Sequence, residues 1–495
     1  MKKPNVLFLM CDQLRGDSLG CMGNSIVKTP NIDALAQSGM LFTRAYTPDP
    51  ICVPARATII TGKYPHKCTG VKANKGAIHD GIKTLPATMA QNGYRTYSIG
   101  KLHYNPYRLP QEGLTVHGFE TYEICESGRA LAAVNPQGDI RGIEHYHDYL
   151  YDVGWGGYER GDGMGNNDVY PNTSPLPAEH YVDAWVATRA IEHIRTHLKN
   201  HPDEPFFMHA SFPKPHSAFD PPRPWDAMYD PRQMPLPNGD IEIMKKRGHY
   251  EAYMKHFSWM FDKLSDAALQ TIKARYYGLI SFQDAQIGRL IQTLKDEGVY
   301  EDTIILYTAD HGEMLGDFGC FAKQVFYEPS AHIPMMIAYP RQIPAGRKSS
   351  ALVGLTDIFP TLAGLCGFEA PEDMDGLDLT QTLLTGEPVR DFYVGQCNDG
   401  AQARYMLIDE QYKYLYTAAG AIDELYDVAA DPQELENLAD QAQYSDVVSQ
   451  MKARLLDWCV ENGDADILEN GRLKAYPLPE LKPVKVGNTF GRRKY

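Results

Sequence analysis

The sequence predicts an α/β fold: a large mixed, mostly parallel sheet sandwiched by helices, followed by a smaller C-terminal α+β domain. Three observations predict it. Short apolar runs alternate with longer helical patterns through most of the 495 residues, the order that builds parallel strands covered on both faces. Four of those apolar runs end in ionisable residues, and in such sheets ligands lie beyond the carboxyl ends of the strands. From about residue 375 the texture changes to shorter alternating segments and one helix, as expected of an antiparallel sheet with a helix against it. The expected division is therefore a main domain over 1–370, a smaller domain over 371–470 and an extended tail over 471–495.

The elements follow in order. Residues 5–10 (Asn-Val-Leu-Phe-Leu-Met) read as a fully buried strand. Residues 32–38 form a short helix after Thr29-Pro30-Asn31, and 85–92 a helix stopped by Gly93, with a strand at 95–99. Further apolar strands are expected at 205–211, 303–308 and 334–338, and long helices at 181–198 and 268–297. Residues 125–180 carry no clear period and many Gly, Asn, Tyr and His, so they read as a long excursion near a site mouth. Its stretch from His145 to Tyr158 is rich in aromatic rings that could stack on a ligand. In the C-terminal domain, strands are expected at 391–396, 403–408 and 413–417 and a helix at 444–461. The tail from Arg472, with Pro477, Pro479 and Pro483, is unsuited to a regular element and is expected to wrap its own domain or a neighbouring copy.

Composition excludes several classes. Hydrophobic content of 43% and charged content of 22% are ordinary for a globular chain, and the net charge of −15 argues against nucleic acid. No apolar run is long enough to span a membrane. The N-terminal apolar run is too short for a signal-peptide core, so a cytoplasmic location is expected, with a periplasmic or secreted one for a chain that has lost a signal peptide. Nine single cysteines with no Cys-x-x-Cys pair do not form a disulfide framework and fit a reducing compartment.

The chemistry centres on Cys52-Val53-Pro54-Ala55-Arg56, followed by Ala57-Thr58-Ile59-Ile60-Thr61. Proline suits the first turn of a helix, so Cys52 falls at the positive end of one, where a thiolate or an oxyanion is favoured. A buried thiol beginning a helix fits the same residues. The strand ends carry Asp12 and Gln13, Lys101 and His103, Lys214 and His216, and Asp310 and His311, so one convergent site is expected. Two carboxylates, an amide oxygen and an imidazole suit a hard cation, and the imidazole extends the range to manganese.

In order and spacing, these stretches resemble the sulfatases, a family of the alkaline-phosphatase-like superfamily. The resemblance runs from Cys11-Asp-Gln through Thr29-Pro-Asn-Ile-Asp-Ala-Leu-Ala, Cys52-Val-Pro-Ala-Arg, Thr61-Gly-Lys-Tyr-Pro, Gly100-Lys-Leu-His and His117-Gly-Phe-Glu. It continues through Pro213-Lys-Pro-His, Ala309-Asp-His-Gly-Glu-Met-Leu-Gly-Asp, Lys323 with Tyr327 and Glu328, and Glu424-Leu-Tyr-Asp, spanning residues 4–440. Cys-x-Pro-x-Arg together with Gly-Lys-x-His is highly specific.

The resemblance implies an alkaline-phosphatase-like catalytic domain that releases inorganic sulfate from a sulfate ester of a carbohydrate or phenol. It implies that Cys52 is oxidised to formylglycine by a maturing enzyme and that the aldehyde hydrates to a geminal diol. One hydroxyl attacks sulfur and the alcohol leaves; the second then expels sulfate, so covalent catalysis carries its own release step. The implied metal ligands are Asp12, Asp310, His311 and the modified Cys52, with Gln13 bound through its oxygen or bonded to a ligand. Many members carry a second Asp at Gln13 and Asn at His311; calcium is expected, with manganese as the alternative. Lys101 and Lys323 would neutralise sulfate oxygens, Arg56 would fix the residue-52 hydroxyls, His103 would take the proton in release and His216 would protonate the leaving oxygen. Asn74 is a further candidate for substrate contact. A phosphonate monoester or phosphodiester hydrolase of the same superfamily shares the Asp-Gln and Asp-His pairs; Gly100-Lys101-Leu102-His103 and the Glu424-Leu-Tyr-Asp run lean to the sulfatases. A glycan-binding relative with unmodified Cys52 is the non-catalytic alternative. The expected partners are a small-molecule or oligosaccharide sulfate ester, the formylglycine-generating enzyme and a second copy met through the tail.

Overall fold

The computed structural model describes residues 3–104, 116–126, 141, 142, 144–248 and 264–480. Its centre is the strand β1 (Asn5–Asp12), buried at every position. Around it lie β2 (Met40–Tyr46), β3 (Arg95–Gly100), β4 (Thr121–Ile124), β5 (Phe206–Pro215), β6 (Thr303–Ala309), β7 (His332–Ala338), β8 (Arg347–Ser349) and β9 (Val353–Gly354). They form one nine-stranded sheet in the order β4-β3-β5-β1-β6-β7-β2-β8, with β9 also on β2. The five strands from β4 to β6 are parallel neighbours, and β7 alone runs against its neighbours β6 and β2. The expected mixed, mostly parallel sheet is present.

The long helices Val182–Asn200 and Asp266–Asp296 match the expected 181–198 and 268–297 within a few residues. Helix α1 (Pro30–Gln37) and helix α2 (Cys52–Thr61) also form where proline-led starts predicted them. Of this sheet, β2, β4 and the short β8 and β9 were not foreseen. β2 is broken by a register shift between Phe42 and Ala45, which spoils its alternation, and β4 is a half-exposed edge of four residues. The expected excursion contains the helix His145–Asp152; residues 127–140 and 143 lie outside the described residues.

A second sheet, β10 (Tyr393–Cys397), β11 (Arg404–Ile408), β12 (Tyr412–Thr417) and β13 (Ile422–Asp427), is an antiparallel meander. Its two faces go to different cores. Tyr405 and Leu407 of β11 pack with Leu455 and Trp458 of the helix Ser445–Glu461, while Met406 and Ile408 join the main core. The alternation of period two therefore glues this sheet to the main body. The tail to residue 480 lies on its own sheet: Tyr476 exchanges backbone hydrogen bonds with Ala418 and Gly420, and Tyr416 Oη donates to the Lys474 carbonyl. Tail residues 481–495 lie outside the described residues. No helix among the described residues is long and apolar enough to cross a membrane.

Candidate active site

Four parallel neighbours, β3, β5, β1 and β6, end side by side, and their next residues meet there. Asp12 closes β1, and Gln13 follows in a left-handed conformation (φ 66°). Asp310 and His311 follow β6; Lys101 and His103 follow β3; His216 follows β5. The positive end of α2 brings in Cys52, 1% exposed. The ligand atoms of Asp12, Cys52, Asp310 and His311 all lie within 4.8 Å of one another, and all four residues are buried.

The donors fit a divalent cation. His311 Nδ1 lies 3.0 Å from the Gly312 carbonyl, which can only accept, so Nδ1 carries the proton. The Nε2 lone pair then faces Asp12 Oδ1 at 3.8 Å, Asp310 Oδ1 at 3.6 Å and Cys52 Sγ at 3.2 Å. A cation between that lone pair and the anionic oxygens would stabilise all of them, and O, O and N donors suit calcium or manganese.

Cationic side chains bracket this group. Arg56, one turn beyond Cys52, donates from Nε to Asp310 Oδ2 (2.7 Å) and from Nη1 to the Lys101 carbonyl (2.9 Å) and Ser211 Oγ (3.1 Å). Its Nη2 sits 3.5 Å from Asp12 Oδ2 and has no hydrogen-bond partner among the described residues. Lys101 Nζ pairs with Asp12 Oδ2. Lys323 Nζ donates to Gln13 Oε1 and lies 3.0 Å from His216 Nε2, whose Nδ1 lies 2.7 Å from the Ser217 carbonyl. Burial raises the Cys52 thiol, but Lys323 and Lys101 outweigh it and bring it down to about 6. Burial likewise opposes ionisation of Asp12, yet Lys101, His216 and Arg56 hold its carboxyl well below the usual range.

Two further candidates are placed by their hydrogen bonds. Asn74 Oδ1 accepts the Val53 N–H at 3.0 Å, which caps the first turn of α2; helix starts leave donors that need such an acceptor. Gln13 spends its side chain between two neighbours: Oε1 on Lys323 and Nε2 on Glu313 Oε2. Glu313 can only accept and Lys323 only donate, which fixes the amide orientation. Its backbone N–H bonds Asp310 Oδ1 at 3.1 Å. Glu313 itself, fully buried, was not singled out from the sequence; a carboxylate two residues past His311 in a Gly- and Leu-containing run was the available signal.

A family model described as Sulfatase matches residues 4–368. The chain belongs to the sulfatase family. A second model, for the C-terminal region of N-sulphoglucosamine sulphohydrolase, matches residues 316–461 of this sulfatase. An arylsulfatase of Clostridium perfringens is 30% identical over 98% of this chain and 100% of its own length. An N-acetylglucosamine-6-O-sulfatase of Bacteroides thetaiotaomicron is 27% identical over 90% of this chain and 84% of its own. The crystal structure of a phosphonate monoester hydrolase of Agrobacterium radiobacter superposes with a TM-score of 0.78 at 27% identity, covering 96% of this chain and all of the other. The fold is thus alkaline-phosphatase-like, and the sulfuric ester hydrolase reading stands above the phosphonate one.

Proposed function

We propose that this sulfatase releases sulfate from an ester of a carbohydrate or a phenol, with residue 52 as the attacking group. The observation that carries the reading is Cys52 at the positive end of α2, within 4.8 Å of three further ligand atoms and drawn to about 6 by Lys323 and Lys101. Matured to a hydrated formylglycine, residue 52 supplies the attacking hydroxyl, and a divalent ion held by Asp12, Asp310 and His311, calcium with manganese as the alternative, supplies a Lewis acid. Gln13 holds Lys323 and, through its backbone, Asp310. Lys101 and Lys323 face the sulfate oxygens and offset the charge that grows in the transition state. Arg56 Nη2 is a buried donor available to an oxygen on residue 52. His216, anchored through Nδ1 on Ser217, protonates the leaving oxygen; His103 takes the proton as sulfate departs.

The second reading, a phosphonate monoester hydrolase, is favoured by the Agrobacterium structure and by the shared Asp-Gln and Asp-His pairs. A panel of 4-nitrophenyl sulfate, N-acetylglucosamine 6-sulfate, choline sulfate and phenylphosphonate monoester separates the two. Sulfate esters are expected to give kcat/KM at least about tenfold above the phosphonate, a discrimination of about 1.4 kcal/mol. A preference for the phosphonate would overturn the assignment. Cys52→Ala is expected to release no sulfate while keeping its melting temperature, and the wild-type Cys52 peptide to be lighter than its thiol form. Normal turnover by that variant would refute covalent catalysis at residue 52.

A further inference from the structure

The turn that carries His103 is held by a buried carboxylate with no part in the reading above. Glu126, 6% exposed, lies two residues beyond β4. Its Oε1 accepts two successive backbone N–H groups, those of Leu102 (3.1 Å) and His103 (2.8 Å). His103 has φ 46°, in the left-handed region. A residue with a side chain stays there only where its surroundings hold it. Two consecutive N–H groups converging on one anion form a nest, here filled by the chain's own carboxylate.

Glu126 is anchored in turn. Its backbone N–H donates to Glu144 Oε2 at 2.9 Å, and the N–H of Cys125 donates to the Gly100 carbonyl at 3.0 Å. Glu144 begins the helix His145–Asp152, so the same small network ties the end of β3, the His103 turn and the excursion together. A charge-assisted bond to each N–H is stronger than a neutral one, which explains a carboxylate at this position.

We propose that Glu126 is a positioning residue for sulfate release: it fixes the backbone of His103 and so aims the imidazole that takes the proton. The inference rests on the role given to His103 above. Glu126 acts through the backbone N–H groups of Leu102 and His103, so its removal acts on the step that His103 serves. With 4-nitrophenyl sulfate the first step needs no proton donor, and kcat/KM reports that step alone. Slower release therefore lowers kcat and KM together and leaves their ratio unchanged.

The test is steady-state and rapid-mixing kinetics of the matured, metal-loaded enzyme with 4-nitrophenyl sulfate. Glu126→Ala is expected to lose about tenfold or more in kcat, part of what a general base contributes. Its kcat/KM is expected to stay within about threefold of wild type, and a burst of nitrophenol to precede the slow phase. Glu126→Gln, which keeps an acceptor oxygen, is expected to restore most of kcat. If the Ala variant does not fold, Glu126→Asp, which withdraws the oxygen by one methylene, carries the same expectation. An unchanged kcat, or an equal loss in kcat and kcat/KM, would overturn the proposal. His103→Ala separates the two levels: wild-type kcat in that variant removes the role of His103 and this inference with it. A split in His103→Ala that the Glu126 variants lack removes this inference alone.

Discussion

Residue by residue, charge sets the state of the site before any modification. Burial in a low dielectric disfavours a thiolate, yet two ammonium groups near Cys52 reverse the balance. In unconverted, metal-stripped protein, the ultraviolet absorbance of the thiolate is expected to titrate at about 6, well under the ordinary value of ~8.5. Lys323→Met should raise that midpoint, because Lys323 is the largest lowering influence; a wild-type midpoint at the ordinary value would contradict the balance. Cys52, Arg56, Asp310 and His311 were legible in the sequence because each falls in a short, spaced motif at a strand or helix end. Glu313 and Glu126 were not. Each acts partly through backbone N–H groups of other residues, and a backbone donor leaves no mark on the residue type that carries it.

Among the elements, α2 and β3 do the most to shape the site. α2 is buried at every position, which lets Arg56 reach Asp310 one turn after Cys52. Its first turn depends on Asn74, twenty-one residues downstream of Val53. Asn74→Ala is expected to cost about 1 kcal/mol in stability, the usual worth of a lost cap. Asn74→Asp keeps the acceptor and should keep the melting temperature, while its added charge near the sulfate site lowers activity. An Asp variant as active as wild type would leave Asn74 a cap and nothing more; an Ala variant of unchanged stability would remove the capping role. At the end of β3, Gly100 has φ 105°, and a Cβ there would meet the Ser211 carbonyl oxygen at 2.0 Å. Only glycine lets the chain turn there and deliver Lys101, whose N–H bonds that same oxygen at 3.0 Å. The central strands were legible because burial on both faces makes them continuous apolar runs. β2 and β4 escaped because a bulge and an edge position remove that signal.

For the molecule as a whole, the parallel centre of the sheet is both scaffold and limit. Placing β3, β5, β1 and β6 side by side gathers residues from positions 12 to 311 into one site, a convergence legible from strand ends alone. Which face of each C-terminal strand meets the main core was not legible, since alternation marks two faces without naming their partners. The same centre buries His209 on β5, opposite Phe8 and Ser98, with its ring stacked on Phe119. Ser98 Oγ lies 2.9 Å from its Nδ1, and Nε2 has no hydrogen-bond partner among the described residues. Burial, aided by the Arg56 charge, pushes its pKa down to about 3. The folded state thus holds this imidazole neutral, while the unfolded chain protonates it below about 6.5. Nothing is lost above that pH. As the pH falls from about 6.5 towards 3, the unfolded state binds the extra proton and stability drops by about 1.4 kcal/mol per unit from this group. His209→Phe removes the titration and keeps the stacking. It is expected to be less stable at pH ~7, where Ser98 loses its partner, but to close on wild type by about 2–3 kcal/mol by pH ~4.5 in urea unfolding. An unchanged gap between the two pH values would mean that His209 is not the neutral, buried imidazole that limits this sheet in acid.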